Sequence, residues 1–245
     1  MIDIFRSEWT KLRSVRSTVW TLAVTGVILV GIAVLRSITV VNQGAPGGLN
    51  GLDVALAGMP FALLVLASTG VLVISGEYRT GMIHTSLQAV PQRLRLLSGK
   101  AVVFTAVSLA YTLLIAFAAF FLTQVLLRDT PVAVSLGDPG VLRALVGAAL
   151  LLTASGLFGL ALGALIRHTA GAVVAVIAMT MVAPQLSTLL PGRASDFVTL
   201  NAGRRVMDLV HTPGTLGPWQ GYAVYLGWIA VTMAVAAVLL QRRDA

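Results

Sequence analysis

Residues that could do chemistry are sparse in this chain, and most of their spacings are wrong for it. The one Gly-Lys pair, Gly99-Lys100, is followed by Ala101 and has Leu94 where a phosphate-binding loop needs its first glycine. No nucleotide cradle can form there. His84, His168 and His211 are scattered, with no HExxH spacing and no paired carboxylates, and they read as solvated loop residues rather than metal ligands. Ser155 stands beside Gly156 without a GxSxG frame or a neighbouring base, so nucleophilic hydrolysis has no support. The chain has no cysteine, which removes disulfides, thiolate chemistry and cysteine-bound clusters. These residues point away from an enzyme and imply neither a metal nor a cofactor on this chain.

One stretch concentrates what charge there is. Gly76 to Lys100, GEYRTGMIHTSLQAVPQRLRLLSGK, carries Glu77, Arg79, Arg93, Arg95 and Lys100 between two long apolar runs. It is too short to bury a core of its own, since an independent domain needs roughly 40 residues or more. Thr80 to Ala89 can form a short helix with Met82, Ile83 and Leu87 on one side, ended by Pro91. Such a helix suits contact with a partner. A charged loop that merely sets topology is the alternative.

The elements around this island are apolar. Of 245 residues 57% are hydrophobic and 11% charged, less than half the roughly 25% of a soluble domain. With a mean hydropathy of +0.92, the composition describes an all-α polytopic membrane protein. The net charge of +8 would suggest nucleic acid in a soluble protein. Here the basic residues sit at the ends of apolar runs and no basic patch interleaves with aromatics, so topology and anionic membrane lipid account for them.

Met1 to Ser17 reads as an amphipathic interface helix, with Ile2, Phe5, Trp9 and Leu12 on one face and Trp9 at headgroup depth. It serves either as a simple anchor or as a surface that also touches a cytoplasmic partner. The run that follows is long and lacks a cleavage pattern, so it reads as an uncleaved span. Six spans are expected, at Thr18–Leu35, Val54–Ser75, Ala101–Leu126, Leu142–Ile166, Ala170–Leu190 and Tyr222–Leu240. With the amino terminus inside, the inner segments hold Arg6, Lys11, Arg13, Arg16, Arg79, Arg93, Arg95, Lys100, Arg167, Arg242 and Arg243. The outer ones hold Arg36, Arg128, Arg143, Arg193, Arg204 and Arg205. This bias places both termini in the cytoplasm. The last outer loop, Pro191 to Gly221, is long and carries a helical pattern for one or two short helices.

None of these spans contains Asp, Glu, Lys, Arg or His. An ion-coupled carrier places such groups at mid-membrane despite a cost of about 2.5–3.5 kcal/mol each. No motif repeats between the two halves, which also argues against an inverted-repeat carrier. Gly156, Gly159 and Gly163 form a small-residue face for close helix packing, within one subunit or between two. Pro60 and Pro184 are expected to kink the second and fifth spans. Phe61, Met179, Met181 and Gln185 lie near those kinks and are candidates to line a permissive apolar substrate path.

The run GEYRTGMIHTSL followed by VPQR resembles the loop between the second and third helices of ABC-2 type ABC transporter permeases. SEWTKLRSVRSTVW, Ser7 to Trp20, resembles the start of their bacterial members. TLNAGRRV, Thr199 to Val206, is similar to an Asn-Ala-Gly segment of many such permeases, with Leu200 where they often carry proline. The resemblance implies the membrane subunit of an exporter in the cell's inner (cytoplasmic) membrane. Such a subunit pairs with a second copy or close paralogue and with two ABC ATPase subunits that bind ATP and Mg. It implies that Glu77 and Arg79 belong to a polar network at the base of the helices, and that Gly81 to Leu87 docks on the ATPase. Trp9, Arg13 and Arg16 would be the network's neighbours on the amino-terminal helix, with Arg13 or Arg16 as the partner of Glu77. Apolar walls without fixed charge suit a lipophilic or amphipathic cargo such as a drug, an antibiotic or a lipid, hence multidrug or antibiotic resistance. A structural salt bridge at Glu77, and a non-transporting sensor or scaffold built on the same fold, are the alternatives.

Overall fold

The computed structural model describes residues 2–82, 93–189, 191–209 and 214–242. Among them every regular element is helical, and six helical stretches are long and apolar enough to cross a membrane. The chain is a multi-pass helical membrane protein. Its elements are α1 (Ile2–Ser14), α2 (Arg16–Gln43), α3 (Gly51–Ala55), α4 (Met59–Thr80), α5 (Arg93–Leu127), α6 (Val141–Ile166), α7 (Thr169–Ile177), α8 (Ala183–Leu186), α9 (Thr199–Arg204) and α10 (Pro218–Arg242). The expected coupling helix lies largely outside the described residues, Ile83 and Leu87 included.

The bundle is assembled around α6, which packs against α4, α5 and α10. It is the most buried of the spans, and its described side chains meet protein on nearly every side. Small residues make that possible. A Cβ on Gly159 would overlap the carbonyl of Ala67 on α4, and one on Gly70 of α4 would overlap the carbonyl of Gly156. Backbone meets backbone here, so the glycine face of α6 is used within one chain. In the same core Tyr225 of α10 packs on Phe158 of α6, ring centroids 6.0 Å apart. One polar contact joins α5 and α6 inside the bundle: Thr112 of α5 lies 3.0 Å from the Thr153 hydroxyl of α6 and also donates to the Ala149 carbonyl.

The two prolines act differently: Pro60 follows a break in its span, whereas Pro184 lies in a helical run that stays continuous. Pro60 sits in the first turn of α4, after a separate short helix, α3. Proline lacks the N–H that a first helical turn leaves unpaired anyway, so it is favoured there. Asn50 caps α3 through a capping box with Asp53. Pro184 instead follows a π-helical turn at Ala178–Val182, which takes up the misfit inside the continuous helical run Thr169–Leu186. The first span is longer than expected and carries Arg36 within helix α2, and α5 begins well before Ala101.

Between α6 and α7 the chain turns in two residues. Arg167 adopts a left-handed conformation at φ 57°, is stacked 5.4 Å from the centre of the Tyr78 ring, and donates to the Leu239 carbonyl. His168 caps α7 by accepting from Gly171 N–H through Nδ1. The segment between α8 and α10 holds short 3₁₀ turns around α9. Asn201 there donates to the Ser187 hydroxyl at 2.6 Å and to the Ser195 carbonyl at 3.1 Å.

Candidate functional site

Four charged side chains meet where α1, the end of α4 and the start of α5 converge. Glu8 and Lys11 stand three apart on α1 and so share one face. Glu77 comes from the last turn of α4 and Lys100 from the third turn of α5. Lys11 Nζ donates to Glu8 Oε1 at 2.7 Å and to Glu77 Oε1 at 3.0 Å. Lys100 Nζ donates to Glu8 Oε2 at 2.5 Å and to Glu77 Oε1 at 2.9 Å. Each ammonium therefore bridges both carboxylates, and the charges sum to zero. The side chains of Glu8 and Lys100 are only 3% and 4% exposed.

The choice of residue types follows from donor geometry. An ammonium directs three donors in a tetrahedral spread from one small atom and so can bind acceptors on separate helices in a tight space, whereas a guanidinium is a larger planar group with its donors fixed in one plane. The chain holds fifteen arginines but only two lysines, and only two glutamates beside its seven aspartates. Those two lysines and two glutamates are the four members of this knot.

Burial alone pushes the Glu8 carboxyl up, but Lys100 and then Lys11 outweigh it and hold the group below its ordinary range. Burial likewise pulls Lys11 down, and its hydrogen bonds to Glu8 and Glu77 outweigh that and raise it. Both groups stay charged at neutral pH. The second oxygen of Glu77, Oε2, is buried and has no hydrogen-bond partner among the described residues. Beside it lies a cavity of about 430 Å³, lined by Glu8, Lys11, Thr18, Glu77, Arg79 and Thr169 among others.

The sequence-predicted members fare unevenly. Glu77 is in the network, as expected from its position, and its partners among the described residues are Lys11 and Lys100. Arg16 is exposed at the start of α2 and makes no ion pair with any described residue, and the Arg13 side chain lies outside the described residues. The face of α1 that carries Glu8 and Lys11 is turned toward α5 and α4, and α1 ends before Arg16. Arg79 is exposed and lines the cavity without joining the knot. Gly81 ends α4 in a left-handed conformation, and Met82 follows, exposed. Trp9 is on α1 and half exposed. Glu8, Lys11 and Lys100 are the members that motif matching missed. Their rarity in an arginine-rich chain was the available signal.

Protein-family models and characterised proteins were compared with the chain, and none matches it. The geometry must therefore carry the functional reading.

Phe61, Met179, Met181 and Gln185 are not drawn into a common site. Phe61 and Met179 are about half exposed, Gln185 is exposed and Met181 half-buried, and they lie on two different spans. At the end of the bundle away from α1, a cavity of about 640 Å³ is bordered by Asn50, Asp53, Pro60, Arg204 and Asp208. Burial lowers the Arg204 guanidinium there. Arg205 is held up by its hydrogen bond to Asp196 against partial burial, with Asp208 adding to it.

Proposed function

We propose that this chain is the membrane-spanning permease subunit of an ATP-driven exporter of the ABC-2 type. One observation carries the reading: the Glu77–Lys100 contact at 2.9 Å ties together the two ends of the polar connection between α4 and α5, and Glu8 and Lys11 tie α1 to the same point. A push on that connection acts on three helices at once. The chain's Asp, Glu, Lys and Arg residues stand toward the ends of the apolar helices, and its sequence has no nucleotide cradle.

On this reading two copies of the chain, or a copy and a close paralogue, pair with two ATPase subunits on the cytoplasmic side, where ATP and Mg bind. Nucleotide drawing the ATPases together would shift the α4–α5 connection and rock the spans between inward- and outward-facing states, an equilibrium biased by differential binding. Both termini are cytoplasmic. Cargo is a lipophilic or amphipathic compound such as a drug, an antibiotic or a lipid.

The test is to co-express the chain with its ATPase, purify the complex and measure ATP turnover with and without cargo. The Glu77→Ala plus Arg79→Ala variant is expected to lose cargo-stimulated turnover. Unchanged assembly and turnover would overturn the coupling role. A complex that binds cargo without hydrolysis or export would favour a sensor or scaffold.

A further inference from the structure

We infer that the groove between α1 and α5 is a binding site for an anionic glycerophospholipid, with an acyl chain along α5 and the phosphate held by Arg6 and Arg95. The groove measures about 570 Å³ and is bounded by Phe5 and Trp9 of α1 and by α5 from Val102 to Leu114. Its α5 wall combines small and branched residues, Val102, Ala106 and Ala110, which leave a channel beside the helix. From Val102 to Leu114 that wall is about 18 Å long at 1.5 Å per residue, the scale of an extended acyl chain. Val102 and Leu114, at its two ends, are exposed by 56% and 66%, so the groove opens sideways from the bundle along a membrane-crossing helix.

Charge decides the headgroup. Arg6 follows Phe5 on α1 and is exposed. Arg95 is exposed two helical turns before Val102, on the same face of α5. Neither arginine has an ion-pair partner among the described side chains, and the described carboxylates nearby, Glu8 and Glu77, are buried in the knot. Among the described side chains, the charge flanking the lining of the groove is thus positive and unpaired, and guanidinium groups pair well with phosphate. Trp9, half exposed, sits where an indole favours the headgroup level. This site does not depend on an ATPase partner.

The test uses purified protein in nanodiscs of phosphatidylcholine doped with phosphatidylglycerol, with retained lipid counted by native mass spectrometry. The expected preference for phosphatidylglycerol is about tenfold to thirtyfold, the size of two cations near an anionic headgroup. Arg6→Gln plus Arg95→Gln, both surface changes, should reduce it to about twofold or less. Ala106→Phe, at an exposed position that fills the channel, should lower retention of both lipids. Arg242→Gln removes another exposed cation of the same end and should change nothing. Equal retention of the two lipids by the unaltered protein would overturn the site. So would an equal loss in Arg242→Gln, which would mean diffuse surface attraction instead.

Discussion

Lys100 commits two of its three N–H donors to Glu8 and Glu77, in a setting only 4% exposed. Removing one partner of a buried ion pair leaves the others uncompensated and costs about 3–5 kcal/mol. Lys100→Met is therefore expected to lower the thermal midpoint of the detergent-solubilised protein sharply, and Lys100→Arg to recover only part of the loss, because the larger planar group does not fit a site shaped around one ammonium. The pH dependence follows from the two shifted groups. Glu8 is depressed when folded, so its contribution is complete above the ordinary glutamate value, about 4.3, and is lost as pH falls through its lower folded value. Lys11 is raised, so its contribution is complete below the ordinary lysine value, about 10.4, and is lost as pH rises through its higher folded value. The thermal midpoint should be flat between about pH 5 and 10 and fall on both sides, which a series of melts across that range will check. Glu77 was legible in the sequence because it stands alone at the end of an apolar run. Its partners were not, because Lys11 and Lys100 are 66 and 23 residues away and only the rotation of α1 turns Lys11 toward Glu77.

At the scale of elements, the packing of α4 on α6 depends on absent side chains. Gly159→Leu would drive a side chain into the Ala67 backbone, which cannot yield as a flexible side chain can. It should cost at least the upper end of the roughly 1–3 kcal/mol typical of overpacking, whereas Gly31→Leu, which meets nothing within 4 Å, should be close to neutral. Yield and thermal midpoint of the two variants measure the contrast. The spans themselves were readable from apolar runs of membrane-crossing length, and the Gly156, Gly159 and Gly163 face was readable as a packing face. Whether it served one chain or two depended on which helix lay opposite, and that is set by the turn at Arg167 and the register of α4. Pro60 starts a helix instead of kinking one because its missing N–H suits a first turn, and only the turn before Met59 distinguishes the two cases.

For the whole molecule, the chain's lack of cysteine makes its topology directly measurable. Ser98 and Ser135 are exposed and lie toward opposite ends of α5. With single cysteines, Ser98→Cys should react with an impermeant maleimide only after the membrane is opened from the cytoplasmic side, and Ser135→Cys in intact cells. The reverse pattern would invert the proposed orientation. The exporter reading joins that orientation to the knot: a cytoplasmic connection whose two ends are bound to each other and to α1 is a stiff lever on the bundle. The most direct measurement places a photo-crosslinking residue at Met82, the exposed position just past α4, in cells that also produce the ATPase. The account predicts an adduct with the nucleotide-hydrolysing subunit whose yield changes between ATP-bound and nucleotide-free states. An adduct with no nucleotide-hydrolysing protein, or a yield indifferent to nucleotide, would contradict it.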